Sequence, residues 1–246
     1  MDALHPHTHT LIRKMASIVT LTDEERAALM RLPMQVQELR ADQDIIREGD
    51  RPSRSCLLIE GHASRYSVTA TGKRQIFSFH IPGEIPDVQS LHIETMDHTL
   101  GTISRCTVGF IQHEVLQELC HGHPRLGDAF WRETLIDGAI FREWMKGIGR
   151  RDAKARIAHL MCEMVTRLKA VGMVEDLSCV WPYTQAELAD ALGLSAVHVN
   201  RTLQEIRAAK LIVLTKDRLT VKDWEGLVAL GEFDPTYLHQ EPREAA

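Results

Sequence analysis

Residues 184–207, TQAELADALGLSAVHVNRTLQEIR, constrain the fold more than any other stretch of the chain. They read as two short helices joined by a tight turn. Thr184, followed three positions later by Glu187, forms a capping box that starts the first helix. Leu188, Ala191 and Leu192 give it an apolar stripe. Gly193 stands where a left-handed C-terminal cap is wanted. Ser195 caps the second helix, and Val199, Leu203 and Ile206 recur at helical spacing as its inner side. Ala196, Val197, Asn200, Arg201 and Gln204 are left facing outward, with no acid near the N-terminal end. Small, amide and guanidinium groups on an exposed short helix suit the major groove of DNA. Ordinary helical hairpins share this pattern, so the next segment matters. Residues 211–214, LIVL, and 219–221, LTV, flank a polar turn and read as a β-hairpin. Two such helices followed by a hairpin make a winged helix.

Upstream, the pattern changes three times. Residues 1–20 read as a loose arm leading to a helix start, and Thr22 opens a short helix ended by Pro33. From 35 to 112, Gly49, Gly61, Gly72 and Gly83 recur every eleven or twelve residues, with β-prone runs at 56–59, 65–68 and 75–79 between them. That spacing predicts an all-β sandwich or barrel. Phe77, Phe79 and Ile81 alternate, which predicts one shared face. A long helix is expected from Arg125, with Trp131, Thr134, Gly138, Phe141, Met145 and Ile148 at alternating steps of three and four. Such a heptad seam suits pairing with a second helix, although the same residues could pack on the chain's own barrel. Phe130 and Trp144 lie off the seam and are expected on the barrel. Gly147 and Gly149 read as a hinge, and Asp152 as the cap of the next helix, whose basic start at 150–156 could be a solvated face or touch phosphates.

Net charge is −5, so any DNA contact must come from a local basic patch on an acidic protein. Five cysteines, scattered and without a C-x-x-C pair, fit a reducing compartment. No apolar run is long enough to span a membrane, and the His-rich start lacks a signal-peptide core. The expectation is a soluble, cytoplasmic protein of α+β class. Its divisions are an arm (1–20), a β jelly-roll effector domain (21–124), a dimerisation helix with hinge (125–149), a winged helix-turn-helix domain (150–232) and a tail (233–246).

This order resembles the Crp/Fnr family of bacterial transcription regulators. Residues 46–50 (IREGD), 58–61 (LIEG) and 82–84 (PGE) are similar to the family's effector-domain landmarks, and 184–207 to its DNA-recognition signature. The resemblance implies a homodimer on a two-fold symmetric operator, acting with RNA polymerase. Arg201 matches the family's guanine-reading arginine. Thr184 and Ser195 match phosphate-contacting positions, with His198 beside them. Asn200 is the second choice for base reading, followed by Val197, Ala196 and Gln204. Better-known members carry charged base readers at Ala196 and Val197, so the operator stays open.

The resemblance also implies what the effector domain lacks. Cyclic-AMP-binding members hold the nucleotide with a glutamate and an arginine after the Gly-Glu landmark. Here that run begins at Gly83 and Glu84, puts Val88 and His98–Thr99 at the binding positions, and has no arginine between Arg74 and Arg105. Cyclic AMP is therefore not the expected effector. Iron–sulfur members need N-terminal cysteines, and none precedes Cys56. A haem-bearing or redox-sensing variant is an alternative, with His80 as candidate ligand or Cys56, Cys106 or Cys162 as switch; no cofactor is otherwise expected. His5, His7 and His9, the pair His121 and His123, and the set His92, Glu94 and His98 do not declare a metal geometry. A cupin-like jelly-roll enzyme is the competing class, but the barrel region lacks the His-x-His that such enzymes present. The expectation is that the protein is not an enzyme.

Overall fold

A computed structural model describes residues 6–240; His5 and residues 241–246 of the tail lie outside the described residues. By internal contact the chain forms two compact units, one made of residues 6–67 and 79–137, the other of 68–78 and 138–239.

The first unit begins with α1 (His9–Ala16) and α2 (Asp23–Met30). The expected loose arm is instead folded: α1 buries Leu11, Lys14 and Met15. Thr22 caps α2 with a reciprocal capping box to Glu25. Seven strands follow: β1 (Gln35–Leu39), β2 (Asp44–Ile46), β3 (Arg54–Glu60), β4 (Ala63–Val68), β5 (Arg74–His80), β6 (Thr99–Thr102) and β7 (Cys106–Gln112). They form two sheets, β1-β7-β3 and β2-β6-β4-β5. Leu39, Ile46, Cys56, Leu58, Ala63, Leu100, Val108 and Phe110 form one core cluster drawn from both. Gly49, Gly61, Gly72 and Gly83 all hold positive φ, which is why they punctuate the strands so regularly. The alternation expected in β5 is absent: Ile76, Ser78, Phe79 and His80 are all buried, while Phe77 is only half so, because both sides of this strand are covered.

After α3 (His113–Gly122) comes α4 (Pro124–Arg150), 27 residues without interruption. The expected glycine hinge is therefore absent. Gly147 and Gly149 are helical, and the helix ends one residue later. Two glycines cost a helix roughly 1 kcal/mol each against alanine; Gly147 is buried, while Gly149 is exposed in the last turn.

The second unit contains α5 (Ala153–Ala170), capped by Asp152, whose carboxylate accepts from the Ala155 N–H at 2.8 Å. Then come β8 (Ser178–Val180), α6 (Gln185–Leu192), α7 (Ala196–Ala208), β9 (Ile212–Leu214), β10 (Arg218–Val221) and α8 (Trp224–Gly231). The hairpin β9–β10 is the wing, and β8 adds a third strand that periodicity does not reveal. α5 is buried along nearly its whole length. At its centre Glu163 accepts from the Trp144 indole N–H (3.0 Å), the Tyr237 hydroxyl (2.8 Å) and Arg167 (3.1 Å). Trp144 is thus held by α5 rather than by the barrel, whereas Phe130 is buried in the first unit.

Candidate nucleic-acid interface and effector cradle

The recognition pair is built by its caps. The Thr184 hydroxyl accepts from the Glu187 N–H at 3.2 Å, while a Glu187 carboxylate oxygen accepts from the Thr184 N–H at 2.6 Å and its hydroxyl at 2.7 Å. Gly193 takes the left-handed conformation at φ 65°, and Arg156 donates to the Leu192 carbonyl at 2.9 Å, fixing where α6 stops. Ser195 Oγ accepts from the His198 N–H at 3.2 Å and starts α7. Val199, Leu203 and Ile206 are buried, so the opposite face has to look outward.

That face carries Ala196, Val197, Arg201 and Gln204, all exposed, with Asn200 half-buried beside them. Val197 is 81% exposed, an apolar group held in water at the start of the helix. Arg201 has no hydrogen-bond or ion-pair partner among the described residues. Asn200 donates to Gln185 Oε1 at 3.0 Å and accepts from Gln204 Nε2 at 3.1 Å. The three amides form a relay from the first turn of α6 across α7. Gln185 is silent in the sequence, because nothing in the period of α6 singles out its first residue. Thr184 and Ser195 are exposed at the two helix starts and His198 is half-buried. All eight expected DNA-contacting residues thus lie on α7 or at the starts of these two helices.

The basic start of α5 reads differently. Arg151 is buried and paired with Glu143 at 2.6 Å, Lys154 is paired with Glu205 at 2.7 Å, and Arg156 is committed to backbone carbonyls. Only Arg150 of that cationic run is exposed and without a partner among the described residues.

Along α4, Trp131 (65% exposed), Leu135 (55%), Phe141, Met145 (59%) and Ile148 present apolar groups to solvent. Leu135 joins the stripe in place of Thr134, which is half-buried and donates to the Trp131 carbonyl at 2.7 Å. Gly138 has open space on this side except for Arg142.

The effector positions are only partly assembled. Glu84 and Val88 line a small cavity with Arg65, His80, Pro86, Glu133, Thr134 and Asp137. Gly83 packs instead on the Thr10 carbonyl, His98 bonds Asp97 at 2.6 Å, and the Thr99 hydroxyl accepts from the Glu48 N–H. The run from Arg74 to Arg105 holds no arginine, yet Arg65, upstream on β4, does bring a guanidinium to the cradle. It is already engaged, with the Asp137 carboxylate and the Pro86 carbonyl. Lys14 Nζ sits between Glu84 (3.3 Å) and Glu133 (2.8 Å). Burial pushes the Glu133 carboxyl up, against the pull of Lys14; at Asp137 burial acts the same way, but Arg65 overcomes it and the carboxyl lies below its usual range. The space remaining is about 10 Å³, room for about one water.

The same packing bears on cofactors. His80 is buried, its Nδ1 2.9 Å from Glu84 Oε2, and it lines the cavity of about 10 Å³ just described. Burial raises the thiols of Cys56, of Cys106 to about 11 and of Cys162 to about 12, the opposite of a reactive thiolate. Among the described residues no three His, Cys, Asp or Glu side chains converge as a metal site, and no helix is long and apolar enough to cross a membrane.

Two antiparallel sheets with a small cradle of paired charges, a long helix and a capped recognition pair with its wing are the parts of a two-unit regulator. Residues 36–123 match the family model for the cyclic nucleotide-binding domain, and residues 155–230 that for the Crp-like helix-turn-helix domain. The chain belongs to the Crp/Fnr family of transcription regulators. It is 25% identical over 222 residues to the transcriptional activator protein FnrL of Cereibacter sphaeroides, covering 88% of each chain. It is 25% identical over 232 residues to the transcriptional activatory protein AadR of Rhodopseudomonas palustris, covering 91% and 92%. Among solved structures, FixK2 from Bradyrhizobium japonicum superposes with a TM-score of 0.73 at 20% identity, over 81% of this chain and 98% of that one.

Proposed function

We propose that the protein is a homodimer that reads a two-fold symmetric operator through α7, in partnership with RNA polymerase, and that cyclic AMP does not control it. The single observation that carries the reading is the outer face of α7: an unneutralised Arg201 flanked by an amide relay, on a helix whose other side is buried. Arg201 bonds O6 and N7 of a guanine, a contact worth about 1–3 kcal/mol of discrimination. Asn200 and Gln204 read neighbouring base edges, Gln185 holds Asn200 in place, and Val197 meets a thymine methyl or its equivalent apolar surface. Thr184, Ser195 and His198 face phosphates. The apolar stripe on α4 supports pairing of two copies, because a contiguous exposed apolar strip on a helix is otherwise unfavourable in water.

The cradle supports independence from cyclic AMP. Its guanidinium is engaged and its space is filled, so an anionic nucleotide would have to break two ion pairs to enter. The test has two arms. Selection of binding sites from random duplexes should return a two-fold symmetric sequence, bound less tightly as salt rises. Calorimetric titration with cyclic AMP should show no micromolar binding. Failure to retain any duplex would end the first claim, and micromolar cyclic AMP binding the second.

A further inference from the structure

Three elements far apart in the chain meet at one buried ammonium. Lys14, on α1, is 6% exposed. Its Nζ lies 3.3 Å from Glu84, on the turn after β5, and 2.8 Å from Glu133, on α4. Holding an ammonium and two carboxylates out of water is costly unless they are matched, and removal of the ammonium strands Glu133, while Glu84 still meets His80 Nδ1 at 2.9 Å. Glu133 is already short of partners, since its Oε2 is buried without a hydrogen bond among the described residues. The backbone repeats the contact independently. A Cβ on Gly83 would stand 2.5 Å from the Thr10 carbonyl oxygen, so α1 sits directly on the turn that carries Glu84. Leu11 and Met15, fully buried, anchor the same helix. Across the cavity Arg65 joins β4 to Asp137 of α4 in the same manner.

We propose that α1 is an internal substitute for an effector: the Lys14 ammonium clasps the barrel turn at Glu84 to α4 at Glu133, so that the state of α4 is set by the chain's own N-terminal helix and not by a diffusible small molecule. Remove that charge and two carboxylates face each other across a site with room for about one water. They repel, and the first half of α4 loosens from the barrel. In the second unit α4 continues to Arg150, so the loosening is read out as weaker DNA binding. That last step rests on the DNA-binding reading above; the loosening itself does not.

The experiment uses the full chain and compares wild type with Lys14→Met. Amide hydrogen exchange across residues 124–137 measures the clasp, and fluorescence anisotropy on the selected duplex measures its consequence. Wild type should bind the duplex with no small molecule added, and millimolar cyclic AMP or cyclic GMP should leave that affinity unchanged. In Lys14→Met, exchange over 124–137 should accelerate and affinity fall, each by about tenfold. Adding Glu133→Gln to Lys14→Met removes the stranded carboxylate and should restore most of the protection. If Lys14→Met fails to fold, the neutral triple variant Lys14→Met/Glu84→Gln/Glu133→Gln takes its place; it should fold, exchange faster over 9–16 and 124–137, and bind the duplex more weakly. Unchanged exchange in whichever variant folds overturns the clasp, as does a wild type that needs a cyclic nucleotide to bind. Wild type that binds no duplex under any condition overturns the regulator reading instead, while the exchange arm still decides the clasp.

Discussion

The cradle of the first unit and the outer face of α7 use the same functional groups to opposite ends. In the cradle Lys14 and Arg65 are enclosed, and each is matched to a carboxylate. On α7 Arg201 stands in solvent, with no hydrogen-bond or ion-pair partner among the described residues. Burial dictates the first arrangement, because an unmatched ion in an enclosed site is prohibitively expensive. Water permits the second, because a solvated guanidinium can wait for a phosphate or a base. Charges matched in this way leave an enclosed site little to offer a further ion. The outer face of α7 is not neutralised in this way. Its one local acid, Glu205, is drawn off by Lys154 and held below the usual carboxylate range by that bond.

The contrast can be attacked from several sides. The largest effect is expected on α4. Leu135→Glu places a charge on the exposed stripe and should convert the dimer to monomer in sedimentation equilibrium, abolishing operator binding. Phe141→Glu should do the same less completely, because the Phe141 ring is partly engaged, edge-on to Phe77 at 6.3 Å. A dimer that survives both would show that the stripe does not hold the two copies together.

Acid should act oppositely on one buried group of each unit. Burial pushes Asp87 up to about 7, in spite of the Cys56 N–H donating to it. The folded first unit therefore prefers the protonated form, and this group's contribution to stability falls as pH rises from about 4 to about 7. His159 is lowered to about 4, by burial first and by Arg151 second. Its contribution is intact above about 6.5 and is lost as pH falls toward 4. Compared with wild type, Asp87→Asn should remove a slope on the order of 4 kcal/mol across its window, and His159→Gln a slope of opposite sign and somewhat smaller size. Chemical denaturation at pH 4.5 and 7 (conditions on the order of the two windows) checks both; slopes of the same sign would refute the assignment.

Arg201→Ala should weaken operator binding by about 1–3 kcal/mol and relax preference at one base pair per half-site. Intact preference in a panel of single-base operator variants would show that another residue reads that position. The smallest effect belongs to the relay. Gln185→Ala removes one neutral hydrogen bond and should cost about 1 kcal/mol or less of affinity, felt at the base facing Asn200 more than at the salt dependence of binding.

The two regions also differ in how far the amino-acid sequence reveals them. The recognition pair is legible because its determinants are local: a capping box spans three residues, a left-handed glycine marks one, and the inner stripe repeats within two turns. The strand boundaries are legible for a related reason, since four glycines are each required at positive φ by a turn. The cradle is opaque. Lys14 meets partners at positions 84 and 133, and Arg65 meets Asp137, and no periodicity links residues so far apart. The arm reads as loose because eight helical residues make little signal without the surface they cover. Gly147 and Gly149 mislead in the other direction, since local propensity argues for a break, yet propensity is a weak prior against the rest of a long helix. Leu135 escapes notice because a heptad drawn through Thr134 fits the spacing equally well, and only exposure separates the two.

The unbroken course of α4 also fixes where its apolar groups point. At 1.5 Å per residue its 27 residues form a rod about 40 Å long. With no break to reset the count, each side chain keeps its angular place from one turn to the next. The exposed groups from Trp131 to Ile148 therefore stay on one strip instead of winding off it, and a second helix laid along that strip would meet it from end to end.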